Sequence, residues 1–301
     1  MLSSSPSTKP LDKGSVGLTG AEETLLITLY TRAKDAESPS PVLNDRYALE
    51  AVGRIRALGY DFSRTEVGRA SSAVTVATRA RIIDICTERF LERHPGAATV
   101  LHLACGMDSR SQRVKWQAEG RLWIDVDTKD AIRMRRQVLE SPRPGAGEYR
   151  LLDLNILSEG WLGCCHIPSD APVLVVFEGL TMYLTEQQNL SLLSSIVSPF
   201  RERGVSGEIV FDAVGSVLYF LVNTVFRKQL ELMGTRFSSY LDDPRSLEKK
   251  VPGLGYRERV GRLADVGVGK GTEGWLVSWL LWVLGIFNLA ERLGGNYVYE
   301  F

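Results

Sequence analysis

The stretch Val100-Leu101-His102-Leu103-Ala104-Cys105-Gly106-Met107-Asp108-Ser109-Arg110 decides the fold. Its apolar, β-forming first half runs into small residues that end at Gly106, where the backbone can turn sharply and another group can pack closely against it. This pattern is typical of a nucleotide-type cofactor pocket in an α/β sheet. In isolation it is about equally typical of an ordinary strand-to-helix turn, so the neighbouring segments decide between the two.

A second short strand is predicted at Leu122–Val126, and it ends on Asp127, twenty-one residues after Gly106. A doubly wound fold places a carboxylate at this spacing to bind the hydroxyl pair of a ribose. Asp125 must share one face of the strand with Asp127, because side chains alternate with a period of two. We assign the cofactor role to Asp127 because it lies at the end of the strand. The alternative is a strand-end cap or an ion pair.

Two further segments also end in acids. Tyr149–Leu154 contains Asp153, and the apolar run Val173–Phe177 is followed by Glu178. A continuous apolar run is typical of a strand buried on both faces of a parallel sheet. A helix is predicted next, with Thr185 as its N-cap. The three acids would then lie at the carboxyl ends of strands, the edge where open α/β sheets bind ligands.

Four blocks together resemble the leucine carboxyl methyltransferase family, in particular its small-molecule branch of tetracenomycin-type polyketide O-methyltransferases. The blocks are Thr24–Ala33, Ala77–Asp84, Leu103–Arg110 and Phe177–Leu184, and the resemblance covers roughly residues 20–215. It implies an α/β class I S-adenosylmethionine-dependent methyltransferase fold. Such a fold has a Rossmann-like, mostly parallel sheet, here with helical N-terminal and inserted lid segments.

By this resemblance the cofactor is S-adenosyl-L-methionine, and Arg79 pairs with its methionyl carboxylate. A planar guanidinium with five donors is the natural partner of a carboxylate. Without the motif, a solvated charge on a basic helix would be the favoured interpretation of Arg79. The backbone at Ala104, Cys105 and Gly106 is expected to pass close beneath the cofactor, where only small residues fit.

The same resemblance gives the strand-end acids their roles. Asp127 would accept both ribose hydroxyls, and Asp153 with the backbone of Leu154 would contact the adenine. Glu178 would lie near the cofactor's ammonium group or near the acceptor. For these acids, strand-end caps or ion pairs are the structural alternatives.

Tyr30, Arg32 and Tyr183 are the candidates for polar contacts on the acceptor side. Arg32 could pair with an anionic substrate or, equally well, with a nearby acid. His102 lies inside the first strand and is expected to be a core imidazole. No catalytic base and no metal site are assigned. A carboxylate is already ionised at pH 7, whereas a phenol with a pKa near 10 benefits from a base.

We therefore expect an O-methyltransferase that acts on a carboxylate, phenol or enol of a small secondary metabolite, with a polyketide-derived acceptor implied by the resemblance. The strongest alternative is a methyltransferase-fold enzyme that catalyses a rearrangement or cyclisation and uses the cofactor as a scaffold. Formation of S-adenosylhomocysteine would discriminate between the two.

Composition limits the partners. The 301 residues contain 36 Lys and Arg against 36 Asp and Glu, so no overall field attracts nucleic acid or anionic lipid. The basic run Arg133–Arg136 is expected on the solvated face of a helix. Four cysteines without disulfide or zinc spacing favour reduced thiols and a cytoplasmic protein. We expect a small-molecule acceptor, no nucleic acid and no stable membrane insertion, with a homo-oligomer possible.

The chain is expected to begin with a disordered leader, residues 1–20, followed by one methyltransferase domain, residues 21–301. Within that domain we predict a helical cap, a cofactor-binding core, and a lid insertion with sheet completion, at residues 21–94, 95–215 and 216–301.

Two C-terminal segments are distinctive. Trp275–Phe287 is strongly apolar, with three tryptophans on one helical face. It is too short to span a bilayer comfortably, and a core helix, a dimer or lid contact, and a membrane-surface helix are its competing interpretations. Asn296–Phe301 alternates like an edge strand.

Overall fold

A computed structural model describes residues 20–62, 70–225, 227–232, 235–260 and 291–301. Its centre is a seven-stranded sheet with the order β3-β2-β1-β4-β5-β7-β6. The strands are β1 Ala98–Leu103, β2 Arg121–Asp127, β3 Glu148–Asp153, β4 Val173–Phe177, β5 Gly207–Val214, β6 Gly255–Val260 and β7 Gly294–Glu300.

The first five strands run parallel, and β7 lies antiparallel between β5 and β6. In the sheet, β2 and β3 lie on one side of β1, and β4 and β5 lie on its other side. The strand order therefore reverses at β1. Ligands bind at such a switch point, outside the carboxyl ends of the strands. β3 forms one edge of the sheet.

The prediction of an edge strand at the C-terminus was wrong. β7 pairs on both sides, and Tyr297, Val298 and Tyr299 are buried. The edge strand on this side of the sheet is β6, whose mixed sequence gives no clear strand pattern. The predicted leader and the Trp275–Phe287 segment lie outside the described residues.

Helices cover both faces of the sheet. Among the described residues, three helices precede β1, namely α1 Gly20–Ala36, α2 Arg46–Ala57 and α3 Ala70–Arg93. The others are α4 Arg110–Arg113, α5 Lys129–Val138, α6 Glu186–Glu202, α7 Ser216–Val225, α8 Arg227–Leu232 and α9 Ser246–Lys250. No described helix is both long and apolar enough to cross a membrane.

Side-chain alternation divides the core into two layers. Val176 on β4 and Val210 on β5 pack with α3 on one face. Phe177 and Phe211, their immediate neighbours, pack with α6 on the other face. Continuing this alternation past the strand ends puts Glu178 on the α3 side, because successive side chains point to opposite faces.

Two local predictions can be checked directly. Thr185 caps α6 as expected, and it forms a capping box with Gln188. The prediction that the basic run on α5 lies on a solvated face fails for one of its arginines. Arg135 is 3% exposed and donates to the carbonyl oxygens of Gly106 and Asp108, because α5 packs directly beneath the turn after β1.

Candidate active site

The turn after β1 is built on small residues. Ala104 and Gly106 have φ angles of 49° and 45°, in the left-handed region where glycine is favoured. A Cβ at position 106 would lie 2.6 Å from Cδ2 of Leu25 on α1. The first helix therefore packs directly over this turn. Cys105, which lies between Ala104 and Gly106 in the chain, is fully buried.

Asp127 joins this turn to the end of β2. Its Oδ2 accepts a 2.7 Å hydrogen bond from the Gly106 N–H, and its Oδ1 accepts one of 2.7 Å from Thr128 N–H. Burial raises the pKa of Asp127, although these backbone bonds act in the opposite direction. Each carboxylate oxygen keeps a second lone pair, so the group can still accept two hydroxyl donors.

Asp153 lies directly opposite Asp127 in the β2–β3 register. Its neighbour Leu154 donates its N–H to the main-chain oxygen of Asp127 at 2.9 Å. That N–H is thus already used within the fold. The predicted backbone contact from Leu154 to an adenine would have to use its carbonyl oxygen instead.

Arg79 on α3 meets two carboxylates from neighbouring strand ends. Its Nε donates to Glu178 Oε1 at 2.9 Å, and its Nη1 donates to Asp212 Oδ2 at 3.0 Å. Nη2 has no hydrogen-bond partner among the described residues, and the Arg79 side chain is 27% exposed. The solvated-charge interpretation of Arg79 is therefore wrong, because this guanidinium is oriented by two acids and keeps donors for a ligand.

Burial and charge compete within this cluster. Burial disfavours the charge of Arg79, but Asp212 and Glu178 outweigh it and the pKa of Arg79 is raised. Burial alone would raise the pKa of Glu178, yet Arg79 and Arg110 lower it. At Asp212 burial prevails over Arg79, so the pKa of that carboxyl is raised.

The cluster offers partners for both ends of a zwitterionic ligand. Arg79 keeps donors for an anionic group, and the carboxylates of Glu178 and Asp212 can face a cationic group. S-adenosyl-L-methionine carries a carboxylate, an ammonium and a sulfonium, with one net positive charge. The free donors of Arg79, the paired acids and the Asp127 carboxylate therefore fit this cofactor.

Arg110 anchors the cluster from beneath and was not predicted as a site residue. It is fully buried and contacts three carboxylates at 2.7 Å each, those of Asp84, Asp108 and Glu178. Asp212 was missed as well, although it follows the same rule that identified the other acids, since it lies near the carboxyl end of β5. No comparable signal in the sequence marks Arg110.

The structure separates the two acids of β2. Asp125 is fully buried, and its carboxylate accepts bonds from His102 Nδ1 at 2.9 Å and Arg135 Nη2 at 2.8 Å. Burial opposes its ionisation, but Arg135 and then His102 outweigh that effect and lower the pKa of Asp125 to about 2. His102 is thus a core imidazole, as predicted. Asp125 is used inside the fold, which leaves Asp127 as the candidate for a ligand.

The three acceptor-side candidates lie in different places. Tyr30 stacks on Phe62 with ring centroids 4.9 Å apart. Arg32 is 4% exposed and donates to the Met107 carbonyl at 2.8 Å, so its surroundings do not support pairing with a substrate. Tyr183 is half-buried beside the Arg79 cluster. Burial raises the pKa of Tyr183, and the charge of Arg79 partly opposes this.

The fold and the site together define a class. A mostly parallel seven-stranded sheet with an acidic carboxyl edge is the predicted class I S-adenosylmethionine-dependent methyltransferase fold. A DUF574 family protein from Streptomyces avermitilis shares this fold, with a TM-score of 0.53 at 10% identity over 92% of this chain and 96% of that one.

The chain belongs to the leucine carboxyl methyltransferase family, which residues 26–197 match. It is 59% identical over 294 residues to the S-adenosyl-L-methionine-dependent methyltransferase dpfgK of Gibberella zeae, covering 97% of this chain and 98% of that one. It is 38% identical over 245 residues to the tetracenomycin polyketide synthesis O-methyltransferase TcmP of Streptomyces glaucescens, covering 81% and 84%. The predicted family is therefore confirmed.

Proposed function

We propose that this protein is an S-adenosyl-L-methionine-dependent O-methyltransferase whose acceptor is a carboxylate, phenol or enol of a small, polyketide-derived secondary metabolite. The observation that carries the proposal is that the cluster of Arg79, Glu178 and Asp212 shares with Asp127 the carboxyl edge of the sheet, where this fold binds ligands. The relative from Streptomyces glaucescens, whose name includes polyketide synthesis and O-methylation, supports the finer statement.

Each residue of the edge has a task in this reaction. Arg79 would hold the methionyl carboxylate with its free donors, and Glu178 would lie close to the ammonium group. Asp127 would accept the ribose hydroxyls, held in place by the Gly106 and Thr128 N–H groups. S-adenosyl-L-methionine, when bound, supplies a methyl group on a cationic sulfur. Holding the acceptor oxygen in line with that methyl lowers the barrier by several kcal/mol through positioning alone.

With the cofactor held by Arg79, Glu178 and Asp127, the acceptor oxygen would gain the methyl group, and S-adenosylhomocysteine would leave with the electron pair of the broken carbon–sulfur bond. A carboxylate acceptor has no proton to lose at neutral pH, whereas a phenol must release one. The half-buried Tyr183 beside the Arg79 cluster would help to orient the acceptor.

Calorimetry with S-adenosyl-L-methionine tests the cofactor site. Arg79→Met should weaken binding by about tenfold or more, the value of one lost charge-assisted hydrogen bond. Arg81→Met is the matched control on the same helix, since Arg81 pairs with Glu88 at 3.5 Å. If the wild-type protein does not bind the cofactor, or if both variants weaken binding equally, the proposed site is wrong.

A second pair tests the ribose contact. Asp127→Asn should also weaken binding about tenfold, because an amide offers one acceptor oxygen where the carboxylate offers two. Asp130→Asn is its control, since Asp130 lies on α5 with a side chain that is 69% exposed. Equal losses in the two variants would contradict the assignment of Asp127.

Product analysis tests the reaction itself. Incubation with S-adenosyl-L-methionine and hydroxylated polyketides should give S-adenosylhomocysteine and methylated acceptor in equal amounts. Conversion of an acceptor with no S-adenosylhomocysteine would instead favour a rearrangement or cyclisation.

The proposal includes a small molecule as the partner, with no nucleic acid, because the charges of the 36 basic and 36 acidic residues cancel.

A further inference from the structure

Two buried arginines contact the turn after β1 from different helices. Arg135 on α5 is 3% exposed, and its Nη1 donates to the main-chain oxygens of Gly106 at 2.9 Å and Asp108 at 2.6 Å. Arg32 on α1 is 4% exposed, and its Nη2 donates to the main-chain oxygen of Met107 at 2.8 Å. Three successive carbonyl groups of the turn are thus bound by charged side chains.

The backbone of this turn depends on side chains for its shape. Ala104 and Gly106 both have φ angles in the left-handed region, which is an unfavourable conformation for alanine. Inside the turn, the N–H of Asp108 donates to the main-chain oxygen of Cys105 at 2.8 Å. The next three carbonyl groups take their donors from the two arginines instead. The arginines therefore fix the orientation of these peptide planes.

The contacts of Arg135 require a planar guanidinium. Its Nη2 donates to Asp125 Oδ2 at 2.8 Å, while Nη1 serves the two carbonyl groups. Burial disfavours the charge of Arg135, but Asp125 outweighs this effect and the pKa of Arg135 is raised. A lysine would keep a charge beside Asp125, but its single nitrogen could not serve three oxygens that surround two different nitrogen atoms.

Gly106 connects Arg135 to the cofactor edge. Its carbonyl oxygen accepts from Arg135, and its N–H donates to Asp127 Oδ2 at 2.7 Å. Glycine has few steric limits on its backbone rotation, so a contact from outside is needed to hold it in one conformation. Arg135 supplies that contact. Gly106 in turn supplies one of the two main-chain hydrogen bonds that orient the Asp127 carboxylate.

We propose that Arg135 is a positioning residue for cofactor binding, which holds Gly106 so that Asp127 is presented to the ribose of S-adenosyl-L-methionine. The inference rests on the proposed function and deepens it, because it gives a part in cofactor binding to a residue that is buried beneath the turn.

Calorimetry with S-adenosyl-L-methionine compares two variants of α5. Arg135→Lys keeps a charge beside Asp125 and should weaken binding by about fivefold or more, because the turn loses at least one charge-assisted hydrogen bond. Arg136→Lys makes the same change at the exposed neighbouring position and should leave binding within about twofold of the wild type. Wild-type affinity in Arg135→Lys, or equal losses in the two variants, would overturn the proposal.

A double-mutant cycle separates positioning from a purely structural role. In an Asp127→Ala background, Arg135→Lys should weaken cofactor binding by less than about twofold, because the carboxylate that Arg135 helps to place is already gone. In an Arg79→Met background, the full loss of about fivefold should remain. Equal losses in both backgrounds would mean that Arg135 acts on the fold as a whole, and would refute the route through Gly106.

Hydrogen exchange gives a readout that needs no cofactor. In Arg135→Lys the Gly106 N–H should exchange about tenfold faster than in Arg136→Lys, since its bond to Asp127 would open more often. Unchanged exchange would contradict the proposal. If Arg135→Lys does not fold, Arg135→Gln combined with Asp125→Asn takes its place with the same expected results, because this pair removes both buried charges together.

The wild-type protein separates this inference from the proposed function. If the wild type binds S-adenosyl-L-methionine and Arg135→Lys binds it equally well, the role of Arg135 alone is refuted. If the wild type does not bind the cofactor, the proposed function is refuted, and the role of Arg135 in cofactor binding with it.

Discussion

Asp125→Asn is the most informative test of how the core supports the site. The wild-type carboxylate is fully buried and receives bonds from five side chains, those of His102, Ser111, Trp123, Arg135 and Tyr149. An asparagine of nearly the same size removes the charge and turns one acceptor oxygen into a donor. The substitution therefore changes the electrostatics of the core with little change in its volume.

Two estimates give the size of the effect. Arg135 and Asp125 are 3% and 0% exposed with nitrogen and oxygen 2.8 Å apart, and breaking such a buried pair costs about 3–5 kcal/mol. Separately, the pKa of Asp125 is lowered from 3.8 to about 2. That difference corresponds to about 2 kcal/mol of stability, which is present above pH 4 and lost as the pH falls toward 2.

Urea denaturation followed by tryptophan fluorescence measures both quantities. At pH 7 we expect Asp125→Asn to lose about 2–5 kcal/mol of unfolding free energy, with the deficit shrinking between pH 4 and pH 2. A loss below about 1 kcal/mol, or a deficit that stays constant with pH, would refute the reasoning.

Asp127→Asn is the control for that experiment. Burial raises the pKa of Asp127, so its charge is a net cost to the folded state. Removing the charge should then change stability by less than about 1 kcal/mol while it weakens cofactor binding. The two neighbouring acids thus have opposite expected phenotypes, one in stability and the other in binding.

Three further predictions concern local structure. Thr185→Ala removes the capping box of α6 and should cost about 0.5–2 kcal/mol in urea denaturation, whereas Gln187→Ala at an exposed position of the same turn should cost under about 0.5. Gly207→Ala should lower the free energy of unfolding by about 1–3 kcal/mol, because the new Cβ would overlap backbone atoms. Gly53 lies within α2 and has open space where a Cβ would be, so Gly53→Ala should raise the free energy of unfolding by about 0.5–1 kcal/mol. Ellman's reagent should modify Cys164 alone in the native protein, since the other three thiols are buried, and all four thiols in urea.

Much of the sheet was predictable because its signals are local. β4 is a continuous apolar run, and a residue in a strand has its face fixed by counting in twos. The same count puts Asp125 and Asp127 on one face. Position at the end of a strand identifies three of the four acids near the carboxyl edge, and Asp212, near the end of β5, is the fourth.

Interactions between distant segments were not predictable in this way. Arg32 and Arg135 look like surface charges in the sequence, yet both are buried by helices that pack over the turn after β1. Nothing nearby in the sequence reveals that Arg32 pairs with the carboxylates of Asp45 and Asp108. The position of β7 was misjudged for the same reason, since its second antiparallel partner, β6, has no signature in the sequence of β7 itself.

The buried charges beneath the site specify geometry more than they add stability. Arg110 brings together Asp84 from α3, Asp108 from the turn after β1, and Glu178 from the end of β4. Dehydrating four charged groups offsets most of their mutual attraction, so such a network adds little net stability. Each member is nevertheless costly to remove, because its partners would be left buried and unpaired. We infer that the network fixes the Glu178 carboxylate in one position, and that Glu178 in turn fixes the direction in which Arg79 presents its free donors.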